Sequence, residues 1–297
     1  MPDPLLEQLR TFNRTVTQTI GALEDDYLGR DRPLAQSRLI FEIGTDGARI
    51  QALRERLQLD SGYLSRLLRS LEAQGLVRTR PEISDRRSRV AELTNGGLEE
   101  LHQLNRLSNE LARSIVEPLS SKQRTRLQDA TQEVERLLLA ASARIEEESP
   151  HDGDALHCLD LYYAELGERF EDGFDPDYGS APQLDEFTPP RGSFFIVRLR
   201  GAAVGCGGLK ALGNDRAYLK RMWIAKSCRG LGLGKRLLDA LEEKARALGY
   251  RTVCLETNSV LEEAQKLYRK SGYLEVEPFN DEPYAHRWFE KALCPKP

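Results

Sequence analysis

Near residue 150 the apolar pattern of this chain changes period, and one domain cannot hold both halves. Up to about residue 148, apolar residues recur at three- and four-residue steps, the spacing of amphipathic helices. Beyond residue 152, short runs rich in β-branched and aromatic residues take over: Ser193–Leu199, Ala202–Leu209, Tyr218–Ala225, Thr252–Glu256 and His286–Ala292. The border falls at the charged, proline-containing stretch Glu146-Glu-Glu-Ser-Pro-His151, which divides the chain into 1–145 and 146–297. Ala143–Glu147 reads either as the end of a helix or as the first strand of the second domain. At 297 residues the chain has length enough for two domains, each with its own core.

The first half reads almost wholly as helix, with Pro33, Pro81 and Pro118 between the periodic segments. Leu5–Leu28 is a long amphipathic segment, Pro33–Ile43 a helix with proline at its first turn, and Ala48–Leu57 a short helix. After a turn at Gln58–Asp60 comes Ser61–Glu72, in which Leu64, Leu67, Leu68 and Leu71 share one face. Tyr63, Ser65, Arg66 and Arg69 are left on the other faces. Two short helices joined by a tight turn, the second carrying hydroxyl and basic groups, suit a helix-turn-helix. Two strand-like runs, Gly75–Arg80 and Val90–Thr94, flank a polar basic hairpin that reads as a wing. Residues 61–90 hold seven arginines against two glutamates and one aspartate. The formal net charge of the chain is −4, so wholesale affinity for nucleic acid is not expected, but this local concentration is what phosphate contact needs.

The stretches Tyr63-Leu-Ser-Arg-Leu-Leu-Arg-Ser-Leu-Glu-Ala-Gln-Gly-Leu76 and Asp85-Arg-Arg-Ser-Arg-Val-Ala-Glu-Leu-Thr94 resemble the MarR family of winged helix-turn-helix regulators over about Leu5–Ile145. The resemblance implies a homodimer on double-stranded DNA, with recognition helices in successive major grooves. It implies DNA-facing roles for Ser61, Tyr63, Ser65, Arg66, Arg69, Arg80, Asp85, Arg86, Arg87 and Arg89, with Asp85 shaping the wing by pairing with a nearby arginine and Arg87 reaching a groove or phosphate. The apolar face of the last helix, Leu127, Val134, Leu137 and Leu138, reads as a dimer seam or core.

In the second half the sharpest motif is Arg229-Gly-Leu-Gly-Leu-Gly234, set between a strand-like run and an amphipathic helix. It fails as a nucleoside-triphosphate loop, because Gly230 to Gly234 is one residue short and Arg236 follows Lys235. It fails as a dinucleotide fingerprint, because the glycines alternate. What it matches is [QR]-x-x-G-x-[GA], through Arg229, Gly232 and Gly234. Together with Leu219-Lys-Arg-Met-Trp-Ile224 before it and Ala264-Gln-Lys-Leu-Tyr-Arg-Lys-Ser-Gly-Tyr273 after it, the half resembles the GNAT acetyltransferase superfamily over about Ala143–Leu293. The fold so implied is α/β with a mixed sheet, following a mainly α winged helix-turn-helix domain.

That resemblance implies acetyl-CoA as acetyl donor and transfer to an amine by direct attack. A helix start offers unpaired N–H groups and partial positive charge to phosphates. The implied donors are Gly230, Leu231, Gly232, Leu233, Gly234 and Lys235, with Arg229 adding charge. Met222, Trp223 and Ile224 would pair with the pantetheine arm as an added strand, and Asn258 and Tyr268 would close the other side of a V-shaped opening. Tyr268 is the expected general acid, and a backbone N–H near Ile224 the expected oxyanion donor. Many relatives carry a glutamate base on the strand before the loop; here Tyr218 stands in that place, and Glu256 on the next strand is the substitute. Asp160–Arg191, with Tyr162, Tyr163, Glu165, Arg169, Phe170 and Phe174–Tyr178, is the expected acceptor side; its acidic and aromatic residues read either as a site for a cationic amine or as a solvated helix and loop. The rival reading is a transcription regulator whose second half senses acetyl-CoA and catalyses nothing.

No run of 18 apolar residues occurs, so no membrane span is expected. The start, Met1-Pro-Asp-Pro-Leu, lacks a secretory pattern, and five scattered cysteines without a C-x-x-C pair fit free thiols in a reducing cytoplasm. The four histidines lack metal-ligand spacing, so no metal is expected.

Overall fold

A computed structural model describes residues 3–82, 88–171, 173–176, 178, 183–213 and 215–293. The chain separates into two compact units, Met1–Thr131 and Gln132–Pro297.

The first unit runs α1 (Pro4–Thr19), α2 (Leu34–Ile43), β1 (Ala48–Arg49), α3 (Ile50–Leu57), α4 (Ser61–Ala73), β2 (Val77–Pro81), β3 (Arg89–Leu93) and α5 (Asn95–Val116), and ends within α6 (Ser121–Ser142). Asp60 caps α4 by accepting from the Tyr63 N–H at 2.8 Å, and Thr94 caps α5 by accepting from Gly97 N–H at 3.1 Å. Leu64, Leu67, Leu68 and Leu71 are buried with Leu39, Ile40, Leu53 and Leu104. The three strands pair in the order β1-β3-β2, all antiparallel. Two expectations are corrected. The first helix stops at Thr19 rather than Leu28, because the chain turns at Gly21, where φ is +66°. The helix expected over Ala48–Leu57 gives up its first two residues to β1, which pairs with Val90 and Ala91; tertiary pairing overrides the local periodicity there.

The second unit contains the end of α6, then β4 (Arg144–Glu148), α7 (Gly153–Arg169), β5 (Ser193–Leu199), β6 (Ala202–Ala211), β7 (Arg216–Ile224), α8 (Leu233–Ala247), β8 (Thr252–Thr257), α9 (Glu262–Lys270), β9 (Leu274–Val276) and β10 (Arg287–Ala292). They form one sheet in the order β4-β5-β6-β7-β8-β10-β9, in which only β7–β8 is parallel. Alternation along β5 sends Phe195 and Val197 to the core under α8 (Leu237, Leu238, Leu241), and Phe194 and Ile196 to the core under α7 (Ala155, Cys158, Leu159). Ala143–Glu147 is thereby resolved largely as strand. The border expected at 145/146 cuts through β4, which pairs along its whole length with β5, and the compact second unit already begins in α6. Among the described residues no helix is long and apolar enough to cross a membrane, and no cluster of three or more His, Cys, Asp or Glu could hold a metal ion.

Candidate functional site

Strands β7 and β8 pair only through Arg216–Thr252, Ala217–Val253 and Tyr218–Cys254. Beyond Tyr218 the ladder stops and the strands splay, which is the V-shaped opening. A register shift between Cys206 and Gly208 of β6 lies opposite Arg221, whose φ of +60° marks a bulge in β7. A bulge of this kind bends a strand and re-aims its side chains.

One arm of the opening is a cavity of about 420 Å³. Met222, Trp223, Ile224, Arg229, Gly230, Gly232, Leu233, Gly234, Lys235 and Tyr268 all line it, so ten of the expected cofactor residues are brought together. Leu231 instead packs against the core, and Asn258 lies in a neighbouring cavity. The loop glycines have separate reasons. Gly232 is the residue before α8 and sits at φ +75°, a left-handed conformation that side chains resist, with open space where a Cβ would go. A Cβ on Gly230 would lie 2.9 Å from Arg136 Nη2. That guanidinium, on α6, donates to the Gly230 carbonyl, while Arg236 at the start of α8 donates back to the carbonyls of Ala140 (2.5 Å) and Ala143 (2.7 Å) at the end of α6. The first N–H groups of α8 have no intrahelical acceptor and carry the helix's partial positive charge. An open glycine cradle at a helix start, with the exposed Lys235 beside it paired to Asp239, makes a fit site for a polyanionic phosphate group.

Arg229 is placed otherwise than expected. Its side chain turns back, donating from Nε to the Ile224 carbonyl at 2.9 Å and from Nη2 to both oxygens of Glu165 at 2.7 and 2.6 Å. Glu165 is buried and also accepts from Trp223 Nε1 at 2.8 Å. Burial pushes its carboxyl up, but the bonds from Arg229 and Trp223 outweigh this and hold it below the usual carboxylate range. A carboxylate in that position requires a cation, so Arg229 braces the loop from behind instead of forming its charged lip.

The other arm is a smaller cavity of about 120 Å³ on the far side of Tyr268 and Tyr162, which line both spaces. Glu256 and Lys220 face each other in it, with Glu256 Oε1 2.5 Å from Lys220 Nζ and Glu282 2.9 Å from the same ammonium. Glu256 Oε2 is buried without a hydrogen-bond partner among the described residues. Burial pushes the Glu256 carboxyl above its usual range against the pull of Lys220. Tyr268 is buried, its hydroxyl makes no hydrogen bond among the described residues, and desolvation, then the Glu256 charge, push its phenol far up, so it keeps its proton at any physiological pH. Tyr218, in the position where relatives carry glutamate, is buried and accepts from Asn280 Nδ2 at 2.7 Å. Asn258 is engaged in shaping the turn after β8, donating to the Tyr284 carbonyl at 2.9 Å and accepting from Val260 N–H at 3.1 Å. Cys228 and Cys254 are buried, and burial pushes the Cys254 thiol up to about 11, so Cys254 is not a poised nucleophile.

In the first unit, Ser61, Ser65, Arg66 and Arg69 are exposed on α4 and Tyr63 is half-buried beside them, with the Arg66 guanidinium 5.5 Å from the Tyr63 ring centroid. Arg80 is occupied by Glu92 at 2.5 Å, and Arg89 donates to Thr79 Oγ1 at 2.6 Å. Both pairs lie across β2 and β3, so these two arginines also hold the wing strands together. Asp85, Arg86 and Arg87 lie outside the described residues.

The sequence reading missed Lys220, Glu282, Tyr284 and Arg136. Lys220 was accessible to it: it lies two residues from Tyr218, on the same face of a strand. Glu282 and Tyr284 come from the irregular segment between β9 and β10, where no periodicity points inward, and Arg136 is distant in sequence from the loop it holds.

A family model described as the acetyltransferase (GNAT) family matches residues 158–273, and one described as the MarR family matches residues 30–88. An "IAA acetyltransferase" of Azospirillum brasilense is 33% identical over 122 residues, covering 40% of this chain and 78% of that protein. The uncharacterised N-acetyltransferase YjgM of Escherichia coli K12 is 33% identical over 103 residues, 32% of this chain and 62% of its own, so the chain spans less than two thirds of that relative. Among solved structures, an acyl-CoA N-acyltransferase from Klebsiella pneumoniae aligns at 27% identity and TM-score 0.43, covering 52% of this chain and 99% of its own. Wild-type MarR from E. coli aligns at 23% identity and TM-score 0.38, covering 45% and 98%.

Proposed function

Because the chain belongs to the acetyltransferase (GNAT) family, an N-acetyltransferase domain with a MarR-family segment ahead of it, we propose that it is both a DNA-binding regulator and an active acetyl-CoA-dependent enzyme acting on an amine. The observation that carries the catalytic part is the position of Tyr268 at the junction of the two cavities, with Glu256 in the smaller one.

When bound, acetyl-CoA supplies the acetyl group as a thioester. The N–H groups at the start of α8 hold its phosphates, and the splayed edge of β7 at Met222–Ile224 aligns its arm. Glu256 Oε2 takes a proton from the incoming ammonium so that the amine becomes a nucleophile. As the C–N bond forms and the C–S bond breaks, Tyr268 Oη gives its proton to the departing sulfur and is reprotonated by the second proton that the nitrogen sheds, while Glu256 passes the first to solvent. The burial of both groups supports these assignments, since it keeps one protonated and makes the other a stronger base than an exposed carboxylate.

The DNA-binding part is supported by the exposed polar face of α4. Homodimerisation through the first domain is supported by α1, where Leu5, Leu9, Phe12 and Val16 share one face and are 70%, 39%, 37% and 37% exposed. The second reading, a receptor for acetyl-CoA without turnover, is favoured by one observation: Glu256 is already ion-paired with Lys220. Release of free thiol from acetyl-CoA over a panel of amines separates the two. Release that Tyr268→Phe abolishes supports the enzyme. Tight acetyl-CoA binding with no release on any amine supports the receptor.

A further inference from the structure

One wall of the smaller cavity is made of rings. Phe174 lies 4.9 Å from Tyr284, 5.7 Å from Tyr163 and 5.9 Å from Phe170, and Tyr178 lies 5.9 Å from Tyr284, all between ring centroids. All five line the cavity. Rings that enclose an ammonium ion must face one another across a gap. These touch one another, so they form a continuous wall and not a cage. Such a wall rewards a flat aromatic group laid against it in offset or edge-on contact. The cavity's polar side is different: Glu256 and Glu282 both pair with the Lys220 ammonium, the Arg221 guanidinium lies over the Tyr163 ring, and Glu256 Oε2 is buried with no hydrogen-bond partner among the described residues. An unpaired buried carboxylate oxygen is costly until a donor reaches it, and the ammonium of an acceptor is such a donor.

We propose that the acceptor is a small arylalkyl primary amine, its ammonium at Glu256 and its ring against Phe174 and Tyr284. This rests on the reading of the second domain as an active acetyltransferase. The test uses the full-length chain, acetyl-CoA and four acceptors: 2-phenylethylamine, its saturated analogue 2-cyclohexylethylamine, spermidine and a lysine-containing peptide. The expected result is a kcat/KM for the phenyl amine above that of the cyclohexyl amine by about 2- to 12-fold, the worth of one ring–ring contact, and above both other acceptors. Phe174→Leu should bring the phenyl-to-cyclohexyl ratio towards one. Faster turnover of spermidine or peptide, or equal turnover of the two matched amines, overturns the substrate class and leaves the enzyme reading standing. If no amine is acetylated although acetyl-CoA binds, the enzyme reading fails, and calorimetric titration of the CoA-loaded chain decides the inference. Tighter binding of the phenyl amine than of its saturated analogue upholds ring recognition, and equal or absent binding ends it.

Discussion

Arg136, near the end of α6, donates to the main-chain carbonyl of Gly230 in the glycine loop. Within a peptide plane the carbonyl points opposite to the following N–H. Holding the Gly230 oxygen therefore fixes the aim of the Leu231 N–H. Replacing Arg136 by alanine should raise the Kd for acetyl-CoA by about 2- to 12-fold, the worth of one hydrogen bond to an ordered group. Calorimetry measures it, and an unchanged Kd would show that the loop keeps its shape unaided.

Tyr268→Phe removes the phenolic proton assigned to the departing sulfur and leaves Tyr162, which also lines both cavities, in place. We expect kcat to fall by about 100-fold or more, in line with general acid catalysis, while acetyl-CoA affinity stays within a factor of two or so, since the ring still lines the cleft. A loss carried by KM alone would assign Tyr268 to packing.

The pH dependence follows from Glu256. Burial raises its pKa above the ordinary carboxylate value, so it stays protonated, and useless as a base, to higher pH than an exposed glutamate would. Activity should climb with pH through that elevated pKa, placing the acid limb of kcat/KM above the normal carboxylate range. Glu256→Gln should abolish the limb along with most of the rate. A wild-type profile flat down to the ordinary glutamate range contradicts the assignment.

Glu165 is a stability residue. Glu165→Ala strands the Arg229 guanidinium and the Trp223 N–H. Breaking a fully buried pair costs about 3–5 kcal/mol, and a third of the Arg229 side chain remains in water, so about 2 kcal/mol is expected from denaturant midpoints. The Glu165 pKa is depressed in the folded chain, so its contribution is full above the unfolded carboxylate pKa and is lost as pH falls through the lower folded one. The gap between variant and wild type should therefore narrow in acid.

On the DNA side, Arg66→Ala and Arg69→Ala should each weaken binding and lower the salt slope by about one if they meet phosphates. Asp60→Ala removes the cap of α4 and should cost about 1 kcal/mol of stability with no effect on that slope. Fluorescence anisotropy across a salt series reads the slopes. An unchanged slope in both arginine variants would exclude phosphate contact by this face of α4.

Much of this was legible in the sequence because it is local. Leu64, Leu67, Leu68 and Leu71 announce their face by spacing alone, and the glycine loop is readable because φ > 0 at Gly232 restricts the residue itself. What was not legible depends on partners far along the chain. Arg229 looked like a free cation until Glu165, 64 residues earlier, claimed it. Tyr218 pointed to the lost glutamate but not to Lys220 and Glu282, whose charges meet only when β7, β8 and the segment before β10 are assembled. Helix α1 ended early for a simpler reason, a turn at Gly21 inside an otherwise continuous apolar pattern.

The reciprocal hold of Arg136 and Arg236 decides where this protein can be cut. A catalytic fragment begun at residue 146 would lose the first two residues of β4, Arg144 and Ile145, and with α6 the carbonyls that Arg236 grips and the guanidinium that grips Gly230. A fragment that keeps the grip on its glycine loop must start at or before about Gln132, inside a helix that sequence alone would have assigned to the other domain. The two halves thus share a part, and neither can be dissected cleanly from its neighbour without deciding which of them keeps the helix.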